Sequence, residues 1–188
     1  MRLFTAMPVP VHIRREIADF QEKAGKEFPD GSMRWVQPDN IHLTLKFLGE
    51  SPQNKIEKII SIVRNSVDGH CAFNIRIAGC GVFPSPGRPR VLWLGCIDDT
   101  GTAADIKEYL DRKLKRFGYE KEKRKYSPHL TVARVKKPGI PLTGGISRII
   151  SREIDLGTVE VRSIQLIESI LKPSGAEYRI IEDAEFRL

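Results

Sequence analysis

The chain has 188 residues, 40% hydrophobic and 29% charged, a globular balance that excludes collagen-like and wholly disordered classes. Lys and Arg number 31 against 24 acids, a net charge of +7, which suits a polyanionic partner, nucleic acid being the usual one. No apolar run approaches a membrane span, and the N-terminus has too short an apolar stretch for a signal peptide; the expected setting is cytoplasmic, with no membrane partner.

Leu3 to Met7 reads as a first strand. Pro8 and Pro10 break it, and Val11 to Phe28 reads as a helix, with Ile13, Ile17, Phe20 and Ala24 at helical spacing. Arg34 to Val36 reads as a short strand and Ile41 to Leu48 as an alternating one. Ser51-Pro52 has the form of a helix start, cap then proline, with the helix running to about Val67. Ala72 to Val82 alternates as a strand. Phe83 to Pro89 holds three prolines and a glycine and reads as a loop. Arg90 to Ile97 is a strand, and Thr102 to Phe117 a helix stopped by Gly118. His129 to Val135 is another strand, Pro138 to Gly145 a loop, and Ile146 to Ile150 a short helix. Val159 to Leu171 and Tyr178 to Leu188 read as strands around a Lys172-Pro173-Ser174-Gly175 turn. No linker or low-complexity segment divides the chain, so residues 1–188 read as one domain. The irregular alternation, with late strands in a run, argues for an α+β fold with largely antiparallel sheet.

The three cysteines, Cys71, Cys80 and Cys96, are odd in number and lack a CxxC spacing. A disulfide framework or a zinc site is not expected. Cys71 and Cys96 sit in apolar, strand-like stretches and read as small buried hydrophobes.

The four histidines carry the strongest signal. His42-Leu43-Thr44-Leu45 and His129-Leu130-Thr131-Val132 repeat one pattern, and both lie on expected strands. With only seven threonines in the chain, composition alone gives such a matched pair about once in a hundred. On a strand, His42 and Thr44 share one face while Leu43 and Leu45 share the other. The same holds for His129 and Thr131. Leucine can then pack on core while imidazole and hydroxyl are presented together.

Two such strands facing each other would assemble two imidazoles and two hydroxyls. Imidazole titrates near neutrality, so one ring can accept a proton while its partner donates one. The threonines can donate to the non-bridging oxygens of a phosphate. This is a metal-free kit for phosphoester cleavage. A zinc site would need further ligands, and no HxH or HExxH pattern is present. His12 and His70 lack the threonine and read as incidental.

At these motifs the chain resembles the RNA 2′,3′-cyclic phosphodiesterases, also called 2′-5′ RNA ligases, of the two-histidine phosphoesterase superfamily. Arg34-Trp35-Val36 before the first motif and Lys46 to Glu50 after it are similar to the family pattern. So are Phe83-Pro84-Ser85, Arg88 to Gly95, Tyr126-Ser127-Pro128, Ala133-Arg134 and the Ser169 to Tyr178 hairpin. The resemblance implies two pseudo-symmetric antiparallel-sheet lobes, helices outside, and a central cleft receiving one motif from each lobe. It implies hydrolysis of an RNA 2′,3′-cyclic phosphate end to a 2′-phosphate, with no cofactor or metal, and a monomer acting on ends such as those of tRNA. It makes His42 the proton donor and His129 the proton acceptor, although the two motifs are nearly equivalent in sequence.

The resemblance also makes Arg134 a contact to nucleotide or phosphate. Strict alternation places it opposite His129, so a bulge or the strand end must turn it back. Phe47 stands at the matching offset from His42 and reads as a base-stacking ring or as core. Arg90, beside Arg88 at the proline loop, is a candidate substrate contact at the cleft edge. Lys121, Lys123, Arg124 and Lys125 could track an RNA backbone or simply form a solvated turn. Trp35 and Trp93 read as core. Three other functions use the same residues: joining RNA halves through a 2′-5′ bond, holding RNA ends without turnover, and hydrolysing a small cyclic phosphate. The paired titrating groups argue against the second, and the basic excess favours RNA over the third.

Overall fold

Among the described residues are four α-helices, two short 3-10 turns and nine strands. In order the helices and strands are β1 (Arg2–Pro8), α1 (Val11–Gly25), β2 (Met33–Trp35), β3 (His42–Glu50), α2 (Ile56–Asn65), β4 (Phe73–Phe83), β5 (Val91–Ile97), α3 (Thr102–Lys115), β6 (His129–Val135), α4 (Thr143–Ile150), β7 (Asp155–Val161), β8 (Ser163–Lys172) and β9 (Gly175–Glu185). The computed structural model describes residues 1–122, 125–136, 142–173 and 175–187.

All eight main-path strands join one antiparallel sheet in the order β7-β4-β5-β6-β3-β1-β8-β9, and β2 pairs with β6. The sheet has two four-stranded halves that meet where Leu43 of β3 faces Leu130 of β6. The expected α+β architecture with two antiparallel lobes is therefore present, with the lobes sharing one sheet.

Only Arg162 separates β7 from β8, yet these strands lie in different halves. The sheet must curl to allow this. Phe186 donates its amide to Arg162 O at 2.9 Å, Ala72 donates to Arg187 O at 3.2 Å, and the Phe73 and Phe186 rings meet at 5.6 Å. The result is a curled half-barrel.

One face of the sheet carries the main core. Leu3, Leu43, Leu45, Ile75, Ile77, Leu94, Leu130 and Ile164 are buried there with Ile13 and Ile17 of α1, Ile59 and Val63 of α2, Ile106 and Leu110 of α3, and Ile146 of α4. Burying each such aliphatic side chain contributes about 1.5–3 kcal/mol. All four helices pack on this side, so the opposite face stays open.

Several local expectations are corrected. The first helix stops at Gly25, short of Phe28, where the chain must turn back into β2. Ser51 does not cap: its hydroxyl contacts Gly49 O at 3.4 Å, and its amide donates to Met1 O. Helix α2 is instead entered through a 3-10 turn at Gln53–Lys55. The stretch Val159 to Leu171 is two strands in different halves, because β7 pairs with β4 and β8 with β1. Helix α4 takes in Thr143, Gly144 and Gly145, which were expected in a loop. Gly145 lies where a Cβ would collide with Glu27 O, so the glycine serves close packing, not a turn. The rest of that expected loop, 138–141, lies outside the described residues. Cys71 is exposed, not buried, because it precedes β4 and forms only an isolated bridge to Arg187. Cys96 is buried as expected, and burial pushes its thiol up to about 12.

Candidate active site

The two motifs sit side by side at the junction of the halves. With Leu43 paired to Leu130 and both leucines in the core, the flanking residues His42, Thr44, His129 and Thr131 turn to the open face. Antiparallel register sets His42 across from Thr131, and Thr44 across from His129. All four are only partly exposed.

Matching β-bulges follow the motifs. Thr5 pairs with Lys46 and Ala6 with Thr44, which leaves Leu45 as the extra residue. Leu92 pairs with Ala133 and Trp93 with Thr131, which leaves Val132 extra. A bulge shifts every later side chain to the other face. Lys46 is thereby sent into the interior. Phe47 and Arg134, at equivalent offsets, come round to the face of the histidines.

Each histidine is held in the same way. His42 Nδ1 lies 2.8 Å from Asn40 O, and His129 Nδ1 lies 2.7 Å from Ser127 O. A carbonyl only accepts, so each ring places its proton on Nδ1 and leaves Nε2 free for chemistry. Aromatic walls fix the planes. His42 packs on Phe4 at 4.7 Å and Tyr178 at 5.3 Å. His129 packs on Phe83 at 5.0 Å and Trp93 at 6.3 Å. Glycine makes room for the second wall: a Cβ on Gly81 would overlap the Trp93 indole.

Burial pushes His42 down to about 4; the bond to Asn40 O opposes this and the charge of Arg134 assists it. Arg134 therefore acts across the junction, from β6 onto the His42 half. Burial raises the Tyr178 hydroxyl, against the charges of Arg134 and Arg2.

Phe47 is 59% exposed, with Phe4 beneath it at 6.0 Å, so its ring is not part of the core. Trp35 packs on Phe28 as expected of core, but Trp93 is a wall of the His129 site. Arg90 is exposed where the chain enters β5; its neighbour Val91, not Arg90, is the residue registered opposite Arg134. Lys121 and Lys125 are exposed, and Lys123 and Arg124 lie outside the described residues. His12 is exposed on α1, away from the motif strands. Among the described residues, no three His, Cys, Asp or Glu side chains converge as a metal would require.

The aromatic walls, Asn40 and Ser127 escaped the sequence reading. The signal available was that Phe83, Trp93, Ser127 and Tyr178 lie in segments resembling the family pattern; Phe83, expected in a loop, is instead the last residue of β4. Behind β3, Lys46 is fully buried. Its ammonium binds Asp111 at 2.5 Å and Glu120 O at 2.7 Å, and Lys107 reaches Asp111 at 2.7 Å. Burial alone would raise the Asp111 carboxyl, but the hydrogen bonds from Lys107 and Lys46 outweigh it and hold it low. Tyr126 ties this layer to the motif by donating to Thr44 O at 3.3 Å.

A curled antiparallel sheet with a His-x-Thr-x strand from each half is the architecture of the LigT-like phosphoesterases, and the chain belongs to that family: its model matches residues 7–93 and 97–178. The chain is thus an enzyme of the phosphoesterase class. It is 37% identical over 180 residues to an RNA 2′,3′-cyclic phosphodiesterase of Archaeoglobus fulgidus, covering 95% of this chain and 97% of that one. It is 33% identical over 187 residues to the enzyme of the same name from Methanothermobacter thermautotrophicus, covering 97% of each. The crystal structure of a Thermus thermophilus protein superposes with a TM-score of 0.83 at 26% identity, over 100% of this chain and 98% of that one.

Proposed function

We propose that this chain is an RNA 2′,3′-cyclic phosphodiesterase whose two histidines open the cyclic phosphate to a 2′-phosphate. The observation that carries the reading is the pair of imidazoles on one face, each with Nδ1–H given to a carbonyl two residues upstream and each with Nε2 free. Water attacks phosphorus as the P–O3′ bond breaks. His129 Nε2 takes the water proton, and His42 Nε2–H gives its proton to the departing O3′. Thr44 and Thr131 donate to the non-bridging oxygens, where charge builds in the transition state. Arg134 contacts the bound RNA end beside the centre, and Phe47 offers its exposed ring to a base. Residues 1–188 act as one domain, and no step calls for a cofactor.

A donor held near 4 is mostly neutral in the free protein at pH 7, yet it is a strong acid once protonated. The anionic phosphate loads it, because negative charge beside the ring offsets Arg134 and favours the imidazolium. Each histidine contributes about 10²–10⁴ in rate.

The test is incubation in EDTA with a short RNA ending in a 2′,3′-cyclic phosphate. Mass spectrometry should find addition of one water, and chromatography should match a 2′-phosphate standard. His42→Ala and His129→Ala should each abolish most turnover with the fold intact. Near-wild-type rates in both variants would sink the mechanism. Tight binding of the RNA without turnover would instead make the chain an end-binding module.

A further inference from the structure

Strand β2 carries one charged residue between two that turn toward the helices. Met33 is buried, and Trp35 lies against Phe28 and beside Gly25. Alternation then turns Arg34, which is exposed, to the open face. The register sets Arg34 directly opposite Arg134. Two guanidinium side chains thus rise from adjacent strands with Cβ atoms about 5 Å apart, a pairing that like charge makes unfavourable.

Among the described residues no carboxylate relieves it. Arg14, Arg64 and Arg76 each find a carboxylate. Among the described residues, neither Arg34 nor Arg134 makes an ion pair or a side-chain hydrogen bond. A protein that places two unneutralised arginines side by side, on the face that carries its catalytic groups, is built to receive an anion there.

The place of the pair says which anion. Arg134 lies three residues beyond Thr131 along β6, roughly 10 Å at strand rise less what the bulge removes. Arg34 lies on the next strand at the same level. The pair is therefore displaced from the His/Thr centre, yet near enough for Arg134 to act on His42. We propose that Arg34 and Arg134 form a phosphate subsite for the phosphodiester adjoining the cyclic end of an RNA strand. Arg34 is then a specificity residue that favours polymer ends over free cyclic mononucleotides. This inference rests on the phosphodiesterase reading above.

The experiment compares 2′,3′-cyclic CMP with a trinucleotide ending in the same cyclic cytidine, for wild type, Arg34→Ala and Arg34→Lys, across a NaCl series. The readout is the ratio of kcat/KM for trinucleotide over mononucleotide. In Arg34→Ala the ratio should fall about tenfold, as for loss of one exposed charge-assisted phosphate contact. The slope of log kcat/KM against log salt for the trinucleotide should become shallower by about 0.7, one single-strand phosphate contact. Arg34→Lys should keep most of the salt slope. The Tm of Arg34→Ala should not fall, because removing the residue relieves repulsion. An unchanged ratio, or a fall on both substrates with a lowered Tm, would overturn the subsite. If wild type hydrolyses neither substrate, the phosphodiesterase reading falls first and the subsite with it.

Discussion

Acidification from pH 7 to pH 4 should cost this protein stability through His42, and the amount follows from its surroundings. The ordinary imidazole value is near 6.5, while burial holds His42 at about 4. Between these values the unfolded chain carries the proton and the folded chain does not. Stability therefore rises with pH across the window, and is lost as pH falls from about 6.5 to about 4. A gap of about 2.5 pH units corresponds to about 3 kcal/mol, a large share of the 5–15 kcal/mol typical of a domain. His42→Asn removes the titration while an amide can still donate to Asn40 O. Urea unfolding of both proteins at pH 7, 6, 5 and 4 gives the difference directly. Carboxylates held low, such as Asp111 and Asp155, titrate in both proteins and cancel. The wild type should lose about 3 kcal/mol more than the variant over this range. Parallel stability curves would refute the assignment of a desolvated, neutral His42.

Sulfate, a phosphate stand-in that does not titrate near neutrality, should raise the His42 proton affinity as its charge opposes that of Arg134; an NMR titration of the ring with and without sulfate reads this, and an unmoved curve would remove the loading of the donor by the substrate's charge. Asp111→Ala strands two buried lysines and should cost about 3–5 kcal/mol in urea denaturation; a loss under about 1 kcal/mol would show that Lys46 and Lys107 find other partners. Gly81→Ala must push the Trp93 indole that walls His129, so kcat/KM should fall about tenfold or more with the fold retained. Gly145→Ala forces α4 away from Glu27 O and should lower stability by about 1–3 kcal/mol, with little effect on turnover.

Much of the fold was legible because burial is written locally. The alternation around His42 and His129 placed leucine in the core and histidine with threonine on the other face, and the structure does the same. The helical spacing of Ile13, Ile17 and Ala24 made α1 recognisable before its partners were known, and all three are buried. Where reading failed, the deciding contact was distant. Gly145 looks like part of a turn until Glu27 O and Phe28 are seen to leave no room for a side chain there. Val159 to Leu171 looks like one strand because nothing local marks Arg162 as the point where the chain leaves one half for the other. Cys71 looks buried because its neighbours are apolar, although the ladder begins only after it.

The candidate site divides along the same line. The chemical groups, two imidazoles and two hydroxyls, and the face they share follow from residue order alone, because a strand's two-residue period is a property of the backbone. What stands around them depends on contacts that exist only once the chain is folded. The bulges at Leu45 and Val132 arise from register against β1 and β5, and they bring Phe47 and Arg134 onto the catalytic face while sending Lys46 to the interior. Phe4, Tyr178, Phe83 and Trp93 reach the histidines from strands far away in sequence. The low proton affinity of His42 comes from that enclosure and from an arginine on the opposite half. Side-chain identity and periodicity are local quantities; register, desolvation and field are sums over neighbours that only folding assembles.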